Sequence, residues 1–231
     1  PGQQPAPLVI MPDMGPVAAQ RRYGCEWVKL LVQGNHAGAG HTHEDKGSFV
    51  LEFAGDTFAV DPGTCSYSNP LAGVLKTCQR HNMLVPTGVS ERPAPQSPLP
   101  ADVKPHASGD HTRFHAGIDA TPGWETYYKT WRRRWDSPTP DRLTITDEFD
   151  LYTGDGVVFY WQTMLPVALN ANRAVITGAR GQAELTAPEN TAWQLDVLPL
   201  PDGQQNRLAL AWPHQRGTLE IEVRLVTAAG T

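Results

Sequence analysis

The chain of 231 residues has little cysteine, little charge and no long apolar run. Three cysteines are too few for a disulfide framework or a cysteine-rich zinc module. Cys65 and Cys78 could close a short loop, but three free thiols is the favoured reading, because spacing carries no geometry. The apolar pieces fall well short of the roughly 18 residues of a membrane span, and the one at residues 27–32 carries Lys29. No membrane span is therefore expected. A basic excess is also missing: 19 Lys and Arg stand against 24 Asp and Glu, a formal net charge of −5. Nucleic acid is accordingly not expected as the main partner, since phosphate binding needs a basic field. Neither an initiator Met nor a signal peptide opens the chain. Its start, Pro1-Gly2-Gln3-Gln4-Pro5-Ala6-Pro7, reads as a linker. The chain is expected to be a piece of a longer protein, with residues 1–16 as an N-terminal extension and residues 17–231 as one domain.

Amphipathic helical spacing is absent as well; residues 69–77 accommodate one short turn at most. Glycine and proline, by contrast, number 21 each, above their usual combined share of about 12%. That excess implies many turns and hence many short strands. Strand signals recur through the chain, and several alternate cleanly. Leu219, Ile221, Val223 and Leu225 point one way, and Glu220, Glu222 and Arg224 the other. Leu143 and Ile145 repeat the pattern, with Asp147 fitting it less well. In Trp131-Arg132-Arg133-Arg134-Trp135, alternation sends Arg132 and Arg134 to one face and Arg133 to the face of the two tryptophans. An edge strand with core tryptophans is favoured there over a sugar-binding ladder. Residues 87–111, with Pro93, Pro95, Pro98, Pro100 and Pro105, read as a long loop. The expected fold is all-β, a large antiparallel β-sandwich of two stacked sheets.

Chemistry concentrates in three places. The glycine-rich run Gly38-Ala-Gly40-His41-Thr42-His43-Glu44-Asp45-Lys46-Gly47 carries two histidines two residues apart. Val60-Asp61-Pro62-Gly63 ends an apolar strand in a carboxylate, and Arg80-His81-Asn82 opens another strand with a histidine. His, Asp and His from three separate elements suit a tetrahedral Zn²⁺ with a fourth position for water. The alternative, a metal-free cluster of buried hydrogen bonds, stays open, because H-x-H is common. Lys46, Lys76 and Arg80 could meet an acidic chain or be solvated charges, and Glu44 is expected to face solvent. His36, His106, His111, His115 and His214 are expected at the surface or in packing, with a cleft position considered for His115.

The run from His41 to Phe49, then Val60-Asp61-Pro62-Gly63-Thr64 with Tyr67 behind it, then Arg80-His81-Asn82, resembles the heparinase II/III-like polysaccharide lyases. The strand around Asp147 and the later Trp161 are also similar. In that family an N-terminal (α/α) toroid precedes a C-terminal antiparallel β-sandwich. The resemblance implies that this chain is the sandwich alone, the toroid being absent from these 231 residues.

The resemblance further implies a structural zinc held by His43, Asp61 and His81 beside the cleft. It implies His41 as the catalytic acid/base or substrate-carboxylate residue; Lys46 and Arg80, near the motif in sequence, are the substrate-binding candidates. The principal catalytic tyrosine would come from the toroid. The activity implied is β-elimination of uronic-acid-containing glycans, glycosaminoglycan or alginate among them, in a periplasmic or secreted protein. Its partners would be an acidic polysaccharide and the toroid. Two other readings compete: a zinc-stabilised carbohydrate-binding or structural module without chemistry, and a cupin-like metalloenzyme. The cupin reading fits less well, since the glutamates after His43 are Glu44, immediately adjacent, and the distant Glu52.

Overall fold

A computed structural model describes residues 5–36, 38, 40–91, 94–96 and 102–228. Among these residues seventeen strands follow one another. They begin with β1 (Leu8–Ile10), β2 (Val17–Tyr23), β3 (Glu26–Val32), β4 (Phe49–Phe53), β5 (Asp56–Ala59) and β6 (Leu84–Thr87). Then come β7 (His106–Gly109), β8 (Phe114–Asp119), β9 (Tyr128–Ser137), β10 (Arg142–Leu151), β11 (Gly156–Thr163) and β12 (Val167–Asn170). The last are β13 (Arg173–Thr177), β14 (Gly181–Thr186), β15 (Trp193–Leu200), β16 (Gly203–Trp212) and β17 (Arg216–Thr227). One short helix, α1 (Ala72–Leu75), and a 3-10 turn at Cys78–Arg80 lie between β5 and β6.

The strands form three antiparallel sheets, where two were expected. One has the order β1-β2-β3-β4-β5, one β15-β16-β11-β6, and the largest β12-β13-β14-β17-β10-β9-β8-β7. The two smaller sheets meet edge to edge, where the Val60 N–H donates to the Gln162 carbonyl at 3.0 Å. Both pack against the same face of β9: Phe49 of β4 meets Trp135, and the Tyr128 hydroxyl donates to the Leu84 carbonyl of β6. The sandwich thus keeps two layers, one of them split. β1 lies inside the stretch assigned to an N-terminal extension and pairs with β2, so the sheet begins at Leu8 rather than at residue 17.

Alternation decides the faces. Leu219, Ile221, Val223 and Leu225 are buried along β17, each contributing about 1.5–3 kcal/mol by leaving water. Trp131, Arg133 and Trp135 point inward together and are fully buried. β9 is not an edge strand, however; it lies between β10 and β8. The buried Arg133 is held by Asp147, its register partner on β10, through Nε–Oδ1 at 2.7 Å and Nη2–Oδ2 at 2.8 Å. Trp131 Nε1 donates to the same carboxylate at 2.7 Å. Within the segment read as one long loop, residues His106–Gly109 form β7, an edge strand.

Candidate metal centre

Buried polar side chains bring three distant segments together. Arg133 Nη1 donates to the Gly47 carbonyl at 2.8 Å and to the Asn82 carbonyl at 2.7 Å. Asn82 Nδ2 reaches the carbonyls of Phe49 at 2.6 Å and Val60 at 3.1 Å, while its Oδ1 accepts from Gln162 N–H at 2.7 Å. One asparagine therefore staples the start of β4, the end of the β5 segment and β11 beside His81. The β3–β4 loop is closed at its neck by Gln33 and Ser48. Gly47, at φ 90°, turns the chain where a Cβ would press on the Trp131 ring at 3.3 Å. Glu44 is not simply solvated, as was expected. Its carboxylate accepts the Cys78 N–H at 2.9 Å, and its own N–H donates to the Lys76 carbonyl, tying the histidine loop to the α1 segment.

On this frame His43, Asp61 and His81 converge, their candidate ligand atoms all within 4.8 Å of one another. His81 is fully buried, with Nδ1 3.0 Å from Asp61 Oδ2. Its Nε2 is buried and has no partner among the described residues. The His43 ring lies 5.4 Å from the His81 ring. Gly63, at φ 69°, turns its N–H back onto Asp61 Oδ1 at 2.7 Å. Burial pushes the His43 pKa below its ordinary value, and the neighbouring His81 adds to the shift. For Asp61, burial acts upward, but hydrogen bonds from His81 and Gly63 and the charge of His81 hold the carboxyl below its ordinary range. Imidazole nitrogens beside a carboxylate are a donor set for a borderline ion such as Zn²⁺. The orphaned His81 nitrogen fits that reading, since a buried polar atom without a partner is costly.

His41, His43 and Asp61 line a cleft of about 400 Å³, together with Asn35, His36 and Thr64. His41 is exposed and held in the left-handed region at φ 56°, a conformation that is uncommon for a non-glycine residue. Its Nδ1 is 2.8 Å from the Tyr67 hydroxyl, and Lys76 Nζ stands 4.8 Å from the centre of the Tyr67 ring. Sequence reasoning used Tyr67 only as a family marker and did not see that it would touch His41.

Two expected substrate contacts do not reach the cleft. Lys46 is fully buried, its backbone paired on both sides with the Gln96 amide at 3.0 Å. Arg80 is also buried and donates to the Pro199 carbonyl at 3.1 Å and to Gln205 at 3.4 Å. Burial lowers both pKa values, and Arg207 presses further on Arg80. Both side chains turn into the interior, and the basic residue beside the site is Lys76. His115 is paired with Asp136 on the far sheet. All three cysteines are free, so no bridge joins Cys65 to Cys78.

The family model described as heparinase II/III-like, C-terminal, matches residues 3–228. The chain belongs to this heparinase II/III-like family. That membership sets aside the cupin-like alternative. Heparan sulfate lyase HepC from Pedobacter heparinus superposes with a TM-score of 0.79 at 11% identity, over 97% of this chain and 37% of that chain. A crystal structure of heparinase III gives 0.76 at 13% identity, over 100% of this chain and 38% of that one. These likenesses establish the fold. The domain thus spans little more than a third of the length of the lyases it resembles. No curated protein matches the sequence.

Proposed function

We propose that this domain is the β-sandwich portion of a polysaccharide lyase that cleaves uronic-acid-containing glycans by β-elimination. The observation that carries the proposal is His41, strained, exposed and tethered to Tyr67, on the cleft that also holds His43 and Asp61. β-Elimination needs the substrate carboxylate neutralised, the C5 proton removed and the leaving glycosidic oxygen protonated. Tyr67 occupies Nδ1 of His41 and leaves Nε2 as the nitrogen that exchanges a proton or donates to the carboxylate. Lys76 adds positive charge beside the pair. His43, Asp61 and His81 would hold zinc, which supplies a fixed positive charge and ties three segments together. Those residues thereby keep the loop that presents His41 in one conformation. Family resemblance supports a further catalytic tyrosine from an (α/α) toroid partner and a periplasmic or secreted location.

A second reading is a zinc-stabilised module that holds glycan without chemistry, in which the convergence of His43, Asp61 and His81 serves the fold alone. Ultraviolet absorbance of the conjugated unsaturated uronate separates the two. It is read with glycosaminoglycans and alginate, for this chain and for the longest natural protein that contains it. Product from the longer protein, abolished by His41→Ala, supports the lyase. An inert longer protein, tested on every uronate glycan class, overturns it.

A further inference from the structure

Two more histidines stand together outside the lining of the cleft, on the outward face of the eight-stranded sheet. In the β7–β8 register His106 faces Gly117 and Ser108 faces His115, so the two histidines occupy a diagonal on one face. Their ring centres are 6.0 Å apart with planes at 46°. The His106 ring lies over Gly117, where a Cβ would stand 2.6 Å from His106 Cε1 and 2.7 Å from Nε2. Glycine is what lets this ring lean toward β8. On the other side, His115 Nδ1 meets Asp136 Oδ1 at 2.5 Å, and Asp136 is its register partner on β9. Arg134 faces Gly117 across the sheet and is paired with Glu148 at 2.7 Å.

We propose that His106 and His115 form a second, open site for a borderline divalent transition-metal ion, with Asp136 orienting His115 from behind. An imidazole nitrogen sits about 2.0–2.1 Å from zinc, so two rings sharing one ion have centres at most about 6.4 Å apart. The observed 6.0 Å is inside that limit, and the His43 and His81 rings of the first centre stand at 5.4 Å. The Asp136 carboxylate on Nδ1 fixes the tautomer that leaves Nε2 as the donor, the arrangement by which carboxylates raise the basicity of ligating histidines. Two paired strands carry the ligands, so little ordering is required on binding. With only two protein ligands the remaining positions belong to water, and the site is weaker and faster to exchange than the first. Ion preference follows the general order for nitrogen donors, Cu²⁺ above Zn²⁺.

Equilibrium dialysis of the full chain against Zn²⁺, with metal analysis, tests the proposal. The variants are His106→Ala, His115→Ala, Gly117→Ala and Asp136→Asn, with His111→Ala as an exposed control on the adjoining turn. Thermal melts followed by circular dichroism confirm that each variant is folded. His106→Ala and His115→Ala each remove one weak equivalent, and Gly117→Ala does so while leaving every ligand in place. Asp136→Asn weakens that equivalent about 10–100-fold, and His111→Ala changes nothing. The result is read as a difference from the parent chain, so it stands whether or not the first centre holds zinc. Unchanged stoichiometry in both histidine variants, or an equal loss in His111→Ala, overturns the proposal.

Discussion

Arg133 and Asp147 form a bidentate ion pair in the centre of the sandwich, at 2.7 Å and 2.8 Å, and both side chains are almost wholly buried. The third arm of the guanidinium holds the carbonyls of Gly47 and Asn82, next to the loop of His43 and directly after His81. The pair is therefore the structural support of the candidate metal centre. Asp147→Ala leaves an uncompensated buried cation and is expected to cost about 3–5 kcal/mol. Urea denaturation measures that cost. The same variant is expected to retain less zinc, although Asp147 is not among the converging ligands.

Tyr67 acts on His41 through a single hydrogen bond. Tyr67→Phe keeps the ring beneath Lys76 and removes only the hydroxyl. A lost hydrogen bond of about 0.5–1.5 kcal/mol corresponds to a two- to tenfold fall in kcat/KM for the proposed elimination. Zinc content is expected to stay unchanged. Steady-state kinetics of the longer protein and metal analysis of the same preparation check both halves.

Tyr127, outside the lining of the cleft, provides a pH test. Its hydroxyl donates to Glu91. Burial first, and the Glu91 carboxylate second, push its pKa up from 10.0 to about 12. A folded-state pKa above the unfolded one means that the folded form binds more protons in that interval. The contribution to stability is complete below pH 10.0 and is lost as pH rises through about 12. Alkaline titration followed by phenolate absorbance is expected to lose a late step in Tyr127→Phe, and that variant is expected to show a flatter decline of stability above pH 10.0.

Faces were more legible in the sequence than sheets. Leu219, Ile221, Val223 and Leu225 declare their side by alternation alone, a local property. The placement of β17 between β14 and β10 depends on pairings across the chain that no local period encodes. β7 escaped notice because His106-Ala-Ser-Gly109 is almost entirely exposed and carries no apolar alternation. His43, Asp61 and His81 were legible as residue types suited to one ion, and they do converge. Lys46 and Arg80 were misjudged because nearness in sequence says nothing about which way a side chain points; both turn inward. The Arg133–Asp147 pair left a readable trace: each charge sits at an apolar-face position of its strand, a placement that requires a buried partner.

One ion shared by three segments beside His41 underlies the proposed function. Metal analysis of the purified chain and of its His43→Ala, Asp61→Ala, His81→Ala and His41→Ala variants tests it most directly. The expected result is a tightly bound zinc that each of the first three variants loses, together with a lower melting temperature, and that His41→Ala keeps. Full zinc retention in His43→Ala would contradict it.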